Sequence, residues 1–416
     1  MNEQLYYCRD WKHRSYEDYD ICVSDFVENR SGGVLLQIHC AVIKDGKIVR
    51  GYKTRDLYQF EKNVRGSVRN FIKRMGTMYP GRDDESYTVK MWYYNPDGSE
   101  LDTGDIPLRI AITFYRPKKI EDKEQELLKE QIFTALCDLL MHTMTEKIYS
   151  TPNGDIHYWV NGREDSKANL VFLPGLTADH RLFDKQIEYF KGRYNVFVWD
   201  APGHVASYPF ELTFSLSDKA KWLDEILTAE DFRNPVIIGQ SMGGYVGQAY
   251  SELFPKKLGG FISIDSAPLQ RKYVTAAELW LLKRMEPVYR HYPWKWLLKS
   301  GTNGIAITEY GRKLMYDMMT VYSGDQERYA KLSGHGFRIL AEAMEADLPY
   351  KLECPAMLIC GTKDHAGSCI RYNKAWHKNT GIRLEWIEGA GHNSNTDKPE
   401  VVNSLIEEFL CGIKED

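Results

Sequence analysis

The sequence predicts an α/β fold, a mostly parallel sheet with a helical lid, preceded by a small α+β domain. Three observations carry that expectation. From about residue 150 onward, short apolar runs alternate with helix-compatible stretches, the pattern of a parallel sheet covered by helices. One junction, Val236-Ile-Ile238 followed by Gly239-Gln-Ser-Met-Gly243 and then 244–254, reads as strand, sharp turn and helix with a serine at the apex. The chain has 416 residues, more than one typical core accommodates, so two domains are expected.

In chain order, residues 1–120 carry the strand signals of a small α+β domain whose role the sequence leaves open. Residues 33–43 and Ile48-Val49 flank Lys44-Asp-Gly-Lys47, and Asp-Gly between apolar runs is a hairpin signal. Residues 64–75 read as a short helix, and 87–94 and 108–115 as two further strands, with Asn95-Pro-Asp-Gly98 as a turn. From Lys44 to Arg74 there are ten Lys/Arg against three Asp/Glu, with aromatics interleaved. This run is read as a solvated face and not a nucleic-acid surface, because the whole unit is nearly neutral and has no nucleic-acid signature. Residues 121–148 read as a connecting helix: Leu128, Ile132, Leu136, Leu139 and Met144 recur at helical spacing after an acidic first turn. Its stripe is expected to pack within the chain, with a homodimer as the alternative.

Residues 149–416 are expected to form the α/β domain, with strands at 156–160, 170–173, 196–199, 236–238, 261–264, 356–360 and 384–387. The stretch 268–349 has no strand signal. It is largely helical and rich in large side chains such as Trp280, Tyr289, Trp296, Met315 and Met319, so it is expected to lie over the carboxyl ends of the strands as a lid.

Composition narrows the setting. A formal net charge of −4 argues against a dominant electrostatic partner such as nucleic acid or an anionic membrane. The amino terminus lacks the apolar stretch of a secretory signal, and no run approaches the roughly 18 apolar residues of a membrane span. Eight cysteines without C-x-x-C spacing suggest reduced thiols in a cytoplasmic protein and no zinc or redox motif.

The chemistry centres on Ser241. At a tight strand-to-helix turn only residues without Cβ let the neighbouring backbones approach, which explains glycine on both sides of the apex. A serine hydroxyl needs a histidine base, and that histidine needs a carboxylate to hold its tautomer. Downstream, residues 356–360 run into Gly361-Thr-Lys-Asp364, and residues 384–387 run into Glu388-Gly-Ala-Gly-His392. Both Asp364 and His392 therefore fall on loops after buried strands, in the chain order Ser, Asp, His.

With these residues in place, the chain from about residue 150 resembles the α/β-hydrolase family, and in particular its carboxylesterase and monoacylglycerol-lipase branches. Four motifs match in order: Leu173-Pro-Gly-Leu176 at the oxyanion turn, Asp200-Ala-Pro-Gly-His204, the serine elbow, and the Asp364 and His392 loops. The resemblance implies a serine hydrolase acting on a small-molecule ester, with Ser241 as nucleophile, His392 as base and Asp364 as its partner. The backbone N–H groups of Leu176 and Met242 would form the oxyanion hole, and no metal or cofactor is implied. Asp265, after residues 261–264, competes for the acid's role because some members place the carboxylate there. Pro174 replaces the histidine that many members carry at the oxyanion turn, so the loop's anchoring is expected to differ. His180 lies just after that turn, where a substrate contact is the less favoured alternative, and His204, His335 and His365 read as structural or solvated. The lid's composition implies an apolar acyl or aryl group. The same machinery serves thioesters, amides and certain C–C bonds, and a non-catalytic binding protein is the reading from a different class.

Overall fold

In the computed structural model the chain divides into two compact units, Met1–Thr143 and Met144–Asp416. The structure describes residues 144–161, 166 and 168–413, together with six strands within 1–143.

The first unit contains β1 (Lys12–Tyr16), β2 (Tyr19–Arg30), β3 (Gly33–Lys44), β4 (Lys47–Ile48), β5 (Lys90–Tyr93) and β6 (Arg109–Arg116). They form one sheet in the order β1-β2-β3-β6-β5, with β4 on β3, and every pairing is antiparallel. The two strands expected to form a hairpin do pair, with Ile43 opposite Ile48 and Lys44 opposite Lys47. The longest pairing, β2 with β3, was not expected from the sequence, because charged and apolar residues do not alternate cleanly along 19–30. The helix expected over 64–75 and the basic stretch beyond residue 48 lie outside the described residues.

The connecting helix expected over 121–148 needs a correction at its end. Residues 121–143 lie outside the described set, but Thr145–Thr151 is a strand, β7, paired antiparallel with β8 (Gly154–Asn161). Pairing with a buried neighbour overrides the weak helical periodicity of Thr-Glu-Lys-Ile-Tyr-Ser-Thr, which is rich in β-branched residues.

The second unit is built on β7, β8, β9 (Asn169–Leu173), β10 (Asn195–Trp199), β11 (Val236–Gln240), β12 (Gly260–Ile264), β13 (Ala356–Gly361) and β14 (Arg383–Ile387). Their order is β14-β13-β12-β11-β9-β10-β8-β7, and all pairings from β10 to β14 are parallel. Each predicted strand after residue 150 is present. The helices between them are α1 (Asp184–Phe190), α2 (Leu216–Ala229) and α3 (Met242–Leu253), and after β13 come α9 (Cys369–Thr380), α10 (Ser394–Asp397) and α11 (Pro399–Gly412). Between β12 and β13 the chain forms α4 (Ala276–Leu282), α5 (Met285–His291), α6 (Trp294–Asn303), α7 (Glu309–Thr320) and α8 (Gln326–Glu345).

Alternation along the strands splits the core into two layers. Val171, Leu173, Phe197, Ile237, Phe261 and Leu358 join one buried cluster, while Leu170, Phe172, Val196, Ile238, Ile262 and Ile359 join the other. This period of two, with both faces buried, is what a parallel sheet covered by helices requires. It brings the carboxyl ends of β9, β11, β12 and β13 together at one edge.

Candidate active site

Ser241 follows the last residue of β11 and immediately precedes α3, with φ 49° and ψ −115°. A non-glycine residue in that region is strained, and the surrounding backbone holds it there. Ile264 O accepts from the Ser241 N–H at 2.9 Å, and the Ser266 hydroxyl donates to Ser241 O at 2.7 Å. The two elbow glycines are steric necessities. A Cβ on Gly239 would lie 2.4 Å from the carbonyl carbon of Gly243, and one on Gly243 would lie 1.9 Å from Leu173 O.

Of the sequence-predicted residues, the fold brings Ser241, His392 and Asp364 together. His392 Nε2 is 2.9 Å from Ser241 Oγ, and His392 Nδ1 is 2.9 Å from Asp364 Oδ2. The Ala366 N–H donates to the other Asp364 oxygen at 2.8 Å. Burial alone would raise the Asp364 pKa, but the His392 ring and these donors more than offset it, leaving the carboxyl below its ordinary value. For His392 burial acts downward, and the Asp364 charge and hydrogen bond win, so its pKa rises above the ordinary 6.5.

Asp265 does not touch the histidine ring. Its Oδ1 accepts from the Gly361 N–H at 2.7 Å, and its Oδ2 accepts from the Ser394 N–H and hydroxyl at 2.8 and 2.5 Å. It is fully buried, and burial followed by the neighbouring Asp364 charge pushes its pKa upward. Its oxygens tie β13 to the start of α10 and so brace the loop that carries His392.

Leu176, on the loop after β9, and Met242, the first residue of α3, line the same cavity as Ser241 and His392. The first N–H groups of a helix have no partner within it, which leaves the Met242 N–H without an intrahelical acceptor. The cavity is about 690 Å³ and is walled by Val274, Leu281, Tyr289, Leu297, Met315 and Met319 among others.

Other sequence candidates are engaged elsewhere. His180 Nδ1 is 2.9 Å from Asp200 Oδ1 and its ring lies 3.8 Å from that of Trp159, outside the cavity lining. Asp200 thus draws the ring back into the β10 loop, away from a substrate contact. His204 and His335 are buried, and burial followed by the nearby Lys219 charge lowers both to about 3, which removes them as bases near neutrality.

Two supports of the site had no signature in the sequence. Gln240 donates to His392 O at 2.8 Å and to Asn393 Oδ1 at 3.1 Å, fixing the histidine loop to the elbow. Asp397 accepts from the Gly391, Ile307 and Thr308 N–H groups and the Thr308 hydroxyl, which joins that loop to the helical insertion. Asp397→Ala should therefore cost about 3 kcal/mol, because it leaves several buried donors unpaired, and denaturant melts would measure the loss.

Among the described residues, two groups could hold a metal: Cys360, Asp364 and Cys369, and Asp179, His180 and Asp200. In both, hydrogen bonds already engage the ligand atoms. Asp364 binds His392, the two thiols lie 4.0 Å apart, and Asp179 chelates Arg181.

The family model described as the alpha/beta hydrolase family matches residues 170–405. The chain is 24% identical to 3-oxoadipate enol-lactonase 2 of Acinetobacter baylyi over 262 residues, 61% of this chain and 92% of that protein. Among solved structures, it is similar to a thermophilic esterase from Thermogutta terrifontis, with a TM-score of 0.54 at 19% identity, covering 65% of this chain and 99% of that one. It is also similar to the enol-lactonase from Burkholderia xenovorans LB400, with a TM-score of 0.53 at 18% identity, covering 64% and 100%. At these identities the structural likeness is one of fold. Among the described residues no helix is long and apolar enough to cross a membrane.

Proposed function

The chain belongs to the alpha/beta hydrolase family, and from that premise we propose that it is a serine hydrolase of carboxylic esters working through an acyl-enzyme. One observation carries the reading: Ser241 Oγ, His392 and Asp364 form an unbroken hydrogen-bonded chain at the edge of an apolar cavity. His392 Nε2 takes the Ser241 proton as Oγ attacks the ester carbonyl, while Asp364 holds the Nδ1 proton and stabilises the imidazolium. The developing oxyanion meets the N–H groups of Met242 and Leu176, each worth about 3 kcal/mol in comparable sites. His392 then protonates the leaving alcohol, and the same base activates the water that releases the acid. The insertion from about 268 to 349 acts as the lid. Labelling by a fluorophosphonate tests this: a mass increase mapped to Ser241 supports the reading, and a folded protein that takes no label contradicts it.

Asp364 is the acid in this scheme, and Asp364→Asn should lower kcat by roughly 10³- to 10⁴-fold. His392 is a base only when neutral, and its raised pKa places the acidic limb of kcat/KM above pH 6.5. Activity should therefore fall as pH drops through that limb, and Asp364→Asn should move the limb to lower pH. Asp265→Asn should move it in the same direction but less, because the Asp265 charge adds to the rise without a hydrogen bond to the ring, and a pH–rate profile of both variants separates the two roles.

The substrate's acyl group is neutral and apolar. Among the described residues the cavity lining includes Asp265 and Glu278 but neither lysine nor arginine, so a substrate carboxylate would be buried without a partner. The enol-lactonase relative therefore offers a guide to reaction class and not to substrate charge. Matched esters differing only by a terminal carboxylate should differ in kcat/KM by about tenfold or more in favour of the neutral one.

A further inference from the structure

The helices that wall the cavity present an unusual outer face. On α4, Trp280 is 59% and Leu281 51% exposed; Val288 on α5, Tyr292 just after it and Trp296 on α6, at 56%, are exposed as well. Single exposed apolar residues are ordinary, but five between positions 280 and 296, two of them tryptophans, are an unusual concentration of exposed apolar side chains along one stretch of chain.

Charge identifies the partner's chemistry. The chain as a whole is −4, yet 271–303 holds seven Lys/Arg against two Asp/Glu. Of these cations, Lys283 pairs with Glu345, and Arg290 with Glu286 and Glu327. Among the described residues Arg284, Lys295 and Lys299 make no ion pair, and these are the cations beside the tryptophans. The Arg284 guanidinium lies 4.3 Å from the Trp280 ring centroid and the Lys299 ammonium 5.6 Å from that of Trp296. Lys295, Trp296 and Lys299 follow one side of α6, opposite the buried Leu297. Between α6 and α7 lies an open depression lined by Lys295, Lys299, Arg312, Lys313 and Glu309, of which Lys313 pairs with Asp317.

We propose that this face docks on the surface of an anionic phospholipid bilayer. Tryptophan favours the interfacial zone, where its apolar body is buried and its N–H stays hydrated, and flanking cations meet the lipid phosphates. The whole-chain charge does not oppose this, because at physiological salt only charges within about 8 Å of the surface are felt strongly. Leu281 links the face to the interior: it is exposed and also lines the cavity, together with Leu282 and Leu297 of the same helices. Docking would thus place an apolar cavity against a source of apolar chains. The inference does not rest on the ester chemistry.

The test uses the full chain carrying Ser241→Ala, so that lipid is not consumed, and sucrose-loaded vesicles of phosphatidylcholine alone or mixed with phosphatidylglycerol. Sedimentation with the mixed vesicles should exceed that with neutral ones by about tenfold, weaken at high salt, and accompany a blue shift of tryptophan emission. Adding Trp280→Ala and Trp296→Ala should abolish the blue shift and most of the binding, and Lys295→Glu with Lys299→Glu should abolish the preference for anionic lipid. No sedimentation, or equal sedimentation of all variants, overturns the proposal. So does a dimer in sedimentation velocity that the tryptophan substitutions dissolve, since the face would then cover a second copy. Release of bound protein by millimolar inorganic phosphate at constant ionic strength would reduce the depression to a phosphate site and overturn it as well.

Discussion

Ser241→Ala lowers ester turnover by roughly 10⁵- to 10⁶-fold, the loss expected when the nucleophile of a cooperating set is removed, and leaves the melting temperature nearly unchanged. The two halves of this expectation have different origins. Alanine removes the hydroxyl and with it the hydrogen bond to His392 Nε2, which is part-buried beside an open cavity. The strained backbone at φ 49° is held by Ile264 O and the Ser266 hydroxyl through main-chain atoms that alanine retains. Steady-state kinetics beside a thermal melt measures both. Residual activity within tenfold of wild type would remove Ser241 from the mechanism, while a large fall in melting temperature would show that the hydroxyl also supports the turn.

Gly243→Ala should be the most damaging single substitution for stability. Helix propensity alone predicts a gain of up to about 1 kcal/mol at a helical glycine. The new Cβ, however, would stand 1.9 Å from Leu173 O and 2.5 Å from its carbonyl carbon, and neither is the end of a flexible side chain. Either α3 or β9 must move, at a cost of about 3 to 5 kcal/mol, which is on the order of 10 °C in melting temperature for a unit of this size. The same displacement shifts the Met242 N–H away from Leu176, so activity should fall even in the fraction that folds. A melt above that of wild type would mean that propensity wins and that the close approach is not rigid. Gly239→Ala, 2.4 Å from the Gly243 carbonyl carbon, should behave in the same way.

Much of the molecule follows from local information. Each strand from β8 to β14 is marked by an apolar run short enough for a strand, and the alternation with helices implies a parallel sheet. The elbow is legible because its demands are local: one serine between two glycines, after a strand and before a helix. The order Ser241, Asp364, His392 and the placement of each on a loop after a strand are equally one-dimensional facts.

Other features were decided only by distances across the fold. Asp265 and Asp364 both follow buried strands, and the sequence favours Asp364 only through the family resemblance. The neighbouring strands β12 and β13 set Asp364 against His392 and give Asp265 to Gly361 and Ser394. His180 is next to the oxyanion turn in sequence, yet Asp200, from the loop after the adjacent strand β10, holds it away. Gln240 and Asp397 take their roles from residues more than 80 positions away, through hydrogen bonds that leave no periodic trace. The insertion's aromatic and methionine side chains look alike in sequence, but packing sorts them: Tyr289, Met315 and Met319 face the cavity, whereas Trp280 and Trp296 face solvent beside unpaired cations. Propensity and periodicity are properties of neighbours along the chain, so they are written in the sequence. Which polar group meets which, and which apolar face is left uncovered, depends on contacts that exist only once the sheet has closed its layers.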